Sequence, residues 1–266
     1  MTGEKRGISA SAQRAREILS KNGNRITLIG ALLVWMASFL IYRFLFTGIG
    51  LLATLFYLDT GLWNFLLTGG YLVLSLLYTQ LVVIPLFYGV MLVAHGMSRG
   101  ERVPLAEIFL PFAQKKSYRR AVRLADGFLW RALVAVILGD VVCGAVKASL
   151  RSAFLSFVIC FLIVVGEIFL CMVIGRRYFR TLLVALEYPD APGRVVRQKT
   201  KMMHTLRPWS PFLYWLYFIP RILLGIATLG IYLVAEALPV MTVTYFCECN
   251  KTLDLIKRLE EHKDHE

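Results

Sequence analysis

WSPFLYWLYFIPRILLGIATLGIYLVAEALPVMTVTYF, residues 209–246, is the stretch whose reading decides the fold. As one helix it would be about 57 Å long at 1.5 Å per residue, nearly twice the roughly 30 Å hydrocarbon thickness of a bilayer. It must therefore fold back. Thr228-Leu229-Gly230 supplies a small polar and glycine break near its centre. The stretch reads as two antiparallel crossings, 209–227 and 231–246, joined by a hairpin turn at Thr228 and Gly230.

Working outward, four further runs reach the length and apolarity of a span: 26–46, 71–94, 128–150 and 153–175. Hydrophobic residues make up 58% of the chain and charged ones 18%, a balance beyond that of ordinary soluble domains. In lipid the backbone polar groups must be satisfied within each segment, and runs of this length suit helices rather than barrel strands. The expected fold class is all-α: a polytopic membrane bundle of about six transmembrane helices.

Basic residues outside the spans set the orientation. The arm to Arg25 holds six, the segment between Ala94 and Phe128 seven, the segment between Gly175 and Trp209 eight, and the tail after Phe246 four. Six crossings place all four groups on one side. The other side has Lys147 and Arg151 near the third hairpin and no lysine or arginine in 47–70. Both termini are thus expected in the cytoplasm, which makes the chain a multi-pass membrane protein. The net charge of +13 follows from this topology and from attraction to anionic lipid headgroups. It calls for no nucleic acid.

The expected organisation is a basic amphipathic arm over 1–25, a transmembrane domain over 26–249 with cytoplasmic segments 95–127 and 175–208, and a charged tail over 250–266. In the arm, Ala12, Ala15, Ile18 and Leu19 can face the membrane while Arg14, Arg16 and Lys21 meet phosphates. The run after it is longer than a signal-peptide core, so the first span reads as an anchor. Residues 51–57 and 62–67 are apolar enough to want lipid. A seventh span there would carry the seven-cation segment outside, so 48–70 is expected to be interfacial or re-entrant, turning at Asp59 and Gly61. Pro189 and Pro192 stop the helix leaving the fourth span. Val195, Val196, Met202, Met203 and Leu206 then line a second amphipathic helix, with Arg194, Arg197, Lys199 and Lys201 toward water.

Four landmarks occur in order: residues 11–22 entering the first span, Arg99-Gly100-Glu101-Arg102-Val103 followed by Ile108-Phe109-Leu110-Pro111-Phe112, Tyr188-Pro189-Asp190, and residues 224–231. In order and spacing they resemble the bacterial integral-membrane family catalogued as domain of unknown function 975. Pro239 with Thr242, Thr244, Tyr245 and Phe246 is similar to that family's ending. The chain departs from the family pattern at Tyr188 and Tyr232. The resemblance implies a polytopic protein of the bacterial cell envelope, with the bacterial plasma membrane as the expected location, and brings no activity or functional residues with it.

A charge near the bilayer centre costs roughly 2.5–3.5 kcal/mol on insertion scales, so intramembrane ionisable residues are the candidate polar sites. Arg43 and Arg131 stand near span ends, where they can snorkel. Asp140 lies about 12 residues into the third span, and Glu167 is expected closer in depth to Arg131 than to Asp140. Arg221 and Glu236 are equidistant from the turn and are expected to form an ion pair. Zinc-helix, nucleophile-elbow and phosphate-loop motifs are missing from the sequence. Gly139-Asp140 is half of an intramembrane aspartyl-protease signature, but Ile137 and the want of a second aspartate at matching depth argue against it. Cys143, Cys160 and Cys171 read as small apolar side chains. Cys247 and Cys249 with His262 and His265 have poor zinc spacing, and His95 and His204 are single.

The expectation is a non-enzymatic membrane component that contacts lipid or organises a membrane-protein partner, with no cofactor and no metal. The alternative is a small-molecule or lipid transporter or permease subunit, because Pro85, Pro220 and Pro239 can break helices along a path.

Overall fold

The computed structural model describes residues 2–21, 23–55, 70, 73–74, 76–149, 153–207, 210–228 and 230–263. Among these residues every regular element is helical and no strand occurs. One helix, Leu76–Ser98, is among them long and apolar enough to cross a membrane. Residues 56–69, with the expected turn at Asp59 and Gly61, lie outside the described residues. The chain divides into two compact units, Met1–Val122 with Met203–Glu266, and Arg123–Met202.

In the first unit α1, Thr2–Ser20, is followed by Gly23 at φ +74° and by α2, Asn24–Leu55. A stripe of Ile8, Ala12, Ala15 and Leu19 is buried, and α1 packs along the last helix of the chain. This corrects the expectation for the arm: its apolar face covers protein and not a membrane surface. Small alanines at helical spacing let the two backbones approach.

The third helix, α3, covers Leu76–Ser98 and contains a π-helical segment, Thr79–Val83. Its cause is Pro85, whose nitrogen has no hydrogen to return to the Leu81 carbonyl. The turn widens, so that the Ile84 N–H donates to the Thr79 carbonyl, and the Leu81 carbonyl accepts the Tyr118 phenol at 3.0 Å. The same device recurs before Pro239, where the segment Leu233–Ala237 closes with the Leu238 N–H on the Leu233 carbonyl.

After Ser98 the chain reverses through Gly100 at φ +86°, a left-handed conformation that glycine tolerates. The Glu101 N–H donates to the Gly96 carbonyl at 3.1 Å. The segment then runs back along α3. Val103 lies against Gly96, and the backbone of Ile108, in the 3-10 turn Leu105–Phe109, lies against Gly89. A single turn, Leu110–Ala113, leads to α4, Lys115–Ser149. The segment expected as a plain cytoplasmic loop is thus in part a packed strap on α3.

The second unit holds most of α4 and all of α5, Ala153–Glu187, which form an antiparallel hairpin. The Cys143 sulfur lies 4.0 Å from the Cys160 carbonyl and the Cys160 sulfur 3.8 Å from the Cys143 carbonyl. Phe128 stacks on Tyr178 at 5.1 Å and lies over Gly175. Glu187 ends α5 just before Pro189, and α6, Gly193–Leu206, begins after Pro192. Lys199 sits over the Tyr188 ring at 4.9 Å. Val196 and Met203 of α6 are buried in protein, so two of the five apolar residues expected on the membrane surface are not available to it.

The final hairpin belongs to the first unit. Its helices are α7, Ser210–Ala227, and α8, Leu238–Lys263, which is preceded by the π-helical segment and continues well past Phe246. Gly230 adopts φ +83° and its N–H donates to the Gly225 carbonyl at 2.8 Å. The Thr228 hydroxyl donates back to the Leu224 and Gly225 carbonyls and accepts the Tyr232 N–H at 3.3 Å, capping the outgoing helix. Gly225 lies against Leu233, so the arms close tightly at this turn.

Candidate functional site

Two carboxylates on the last helical stretch gather the densest polar contacts of the first unit. Glu248 accepts hydrogen bonds from the Ser11 hydroxyl, from Arg207 at 2.9 Å and from Lys251 at 3.1 Å. Lys251 also donates to the Ser11 hydroxyl. Ser11 is fully buried and the Glu248 side chain is 13% exposed. Two residues along, Asn250 donates to the Ser98 hydroxyl at 3.0 Å, which donates to the His95 carbonyl at 2.7 Å. The His95 ring lies 5.6 Å from that of Phe246. The two networks tie α1, α3 and α8 together.

Glu236, in the widened turn before Pro239, pairs with Arg25 and stands 3.8 Å from Arg16. Both arginines are about half exposed, so each contact contributes on the order of 1 kcal/mol or less. The expected Arg221–Glu236 pair is therefore corrected. Equal distance from the turn does set comparable depth, but the α1–α2 corner delivers two guanidinium groups to Glu236, while Arg221 lies over the Tyr217 and Phe218 rings at 5.3 Å each. Exchanging Arg25→Glu with Glu236→Arg should recover most of the melting temperature lost in either single variant, with a coupling of about 1 kcal/mol. The corresponding Arg221→Glu and Glu236→Arg exchange should show no coupling in the same thermal-unfolding cycle.

The other sequence candidates fare differently. The facing pairs Cys143/Cys160 and Phe128/Gly175 set a register that puts Glu167 opposite Val136, about one turn from Asp140 in depth. Residue 136 is four positions from Asp140 and five from Arg131, so Glu167 stands at a depth between the two. The side chains of Asp140, Glu167 and Arg43 lie outside the described residues. Among the described residues no group of three His, Cys, Asp or Glu side chains could hold a metal ion. Cys247 is buried, and that burial raises its thiol above the usual range, which disfavours the thiolate a metal would need.

Ser11 and Lys251 bring together the groups of a serine–lysine pair. Ser11 has no exposed surface and its proton is committed to Glu248, so the arrangement clamps an arm and opens no reacting centre. Glu248, Ser11, Arg207 and Lys251 were not singled out by sequence reasoning. The legible signal was Ser11 inside the small-residue stripe of α1, a polar group on a face that is otherwise apolar.

Comparison with protein-family models, with curated proteins and with solved structures finds no match for this chain.

Proposed function

We propose that the chain is a multi-span integral protein of a bacterial cytoplasmic membrane, threaded six times with both ends in the cytoplasm. It works as a non-enzymatic component that contacts anionic lipid or organises a membrane-protein partner. The observation that carries this reading is the surface of the hairpin α4–α5. Trp130, Val134, Leu138 and Val142 repeat every four residues along α4, and Phe154, Phe157 and Leu162 follow on α5, all exposed. Such ridges on adjacent helices are too extensive for a monomer in water and suit hydrocarbon. The four basic segments and the resemblance to a bacterial envelope family support the orientation and the setting.

Transport by a permease-like subunit is the second reading. It draws on the two π-helical segments, each placed before a proline and one carrying Glu236, since such segments recur at functional sites. Extraction of the protein in native lipid discs, with identification of everything retained, separates the readings. Enrichment of anionic lipid or a stoichiometric membrane protein is the expected result. A retained soluble solute, lost on Glu236→Gln, would favour transport, and release from membranes by alkaline carbonate would end both.

A further inference from the structure

The strap after α3 carries information about how deep the first unit sits. Val103 contacts Gly96, Ile108 contacts Gly89 and the Tyr118 phenol reaches the Leu81 carbonyl. Between residues 103 and 118 the chain therefore descends most of α3. Lys115, Lys116 and Arg119 are exposed within a turn of Tyr118. They stand at the level of Leu81, about 25 Å of helix rise from Ser98.

If Ser98 marked the cytoplasmic surface of the bilayer, these three cations would lie deep in the hydrocarbon or approach the opposite headgroups. The first costs roughly 2.5–3.5 kcal/mol per charge, and the second reverses the charge asymmetry on which the topology rests. Burial along α3 points the same way. Leu77 and Leu81 are exposed, as are Val73 and Leu74 just before the helix, whereas 13 of the 15 residues in Ile84–Ser98 are buried against protein. An apolar helix buried in this manner is a core helix over its second half.

From these positions we infer that the cytoplasmic headgroup layer meets this unit at the level of Leu81, where Lys115, Lys116 and Arg119 contact anionic lipid phosphates. The part of α3 from Pro85 to Ser98, with α1, the start of α2 and the strap, then stands above the membrane as a folded helical module. The inference rests on the membrane reading and changes its threading. Phe246 lies at His95 and Glu236 pairs with Arg25, so the final hairpin stands beside the module and is not counted as two crossings. The first two spans move toward 38–81, and four crossings replace six. Trp35 packs on Phe87 at 5.2 Å and the Tyr78 phenol donates to the Ser38 carbonyl at 3.0 Å, so α2 enters the hydrocarbon near Ser38. Chain between Ser38 and Leu81 suffices for two crossings of about 20 residues and a turn.

The test uses single cysteines in the otherwise cysteine-free full chain, reacted in inside-out vesicles with a membrane-impermeant charged maleimide. Leu33 and Phe109 are exposed above the inferred surface, Phe44 and Leu77 are exposed below it, and Glu261 in the tail is the reference. Leu33→Cys and Phe109→Cys should react at rates close to Glu261→Cys, and Phe44→Cys and Leu77→Cys on the order of a hundredfold more slowly, because a charged reagent is excluded from hydrocarbon. If Leu33→Cys and Phe109→Cys are as slow as Leu77→Cys, the module lies within the bilayer and the inference fails while the membrane reading stands. If all five react alike, Phe44 and Leu77 are in water and the inference fails; the same labelling of Leu138→Cys on α4, fast as well, would end the membrane reading.

Discussion

Replacing Glu248 with alanine is expected to cost the folded protein about 3 kcal/mol and to free the amino-terminal helix. Two contributions make up this figure. The Ser11 hydroxyl is fully buried and donates to Glu248, and a buried donor stripped of its acceptor costs about 1–3 kcal/mol. Arg207 and Lys251 lose their carboxylate as well. Their side chains are over a third exposed, so solvent takes up much of that loss and each adds about 1 kcal/mol at most. Differential scanning in detergent would show a lowered melting temperature, and limited proteolysis would trim the first 20 or so residues faster. Ser11→Ala in the Glu248→Ala background should recover part of the loss, since it removes the stranded donor. An unchanged melting temperature and an unchanged digestion pattern would show that α1 is held by its apolar stripe alone.

A change at Gly89 should be at least as severe. A side-chain carbon there would fall inside the van der Waals radius of the Ile108 carbonyl, and that neighbour is backbone, which cannot swing aside as a flexible side chain would. Gly89→Ala is expected to lose about 3 kcal/mol, and Gly89→Val should prevent accumulation of folded protein, because relief requires moving the strap off α3. Gly166→Ala is the control. That helical glycine has no heavy atom within 4 Å of where its Cβ would sit, so alanine should be neutral or stabilise by up to about 1 kcal/mol. Equal tolerance of alanine at both positions, scored by detergent-extracted yield and melting temperature, would mean that the strap does not press on α3 as described.

The sequence was legible wherever a single element carries its own signal. Residues 209–246 were too long and too apolar for one crossing, and Thr228 with Gly230 offered a place to turn; Gly230 has the positive φ and Thr228 the capping bonds of such a turn. Pro189 and Pro192 bracketed the end of one helix and the start of the next because proline acts on its own neighbours. The partner of Glu236 was not legible. Depth from the turn is a one-dimensional measure, and Arg221 and Arg25 differ in which helix face and which corner they occupy.

By itself, then, the sequence determined the helical class, the turn at Thr228 and Gly230 and the grouping of cations outside the apolar runs, because length, periodicity and charge are local sums along the chain. Only the tertiary structure decided what the apolar faces cover. The stripe of α1 has the pattern of a membrane-surface helix, yet it is buried along α8. The second half of α3 has the hydropathy of a span, yet it is buried. Hydrophobic burial is non-directional, so lipid and a neighbouring helix satisfy an apolar side chain equally well. Which of the two it meets is set by contacts between residues far apart in the chain, such as Ile108 on Gly89 and Ser11 on Glu248.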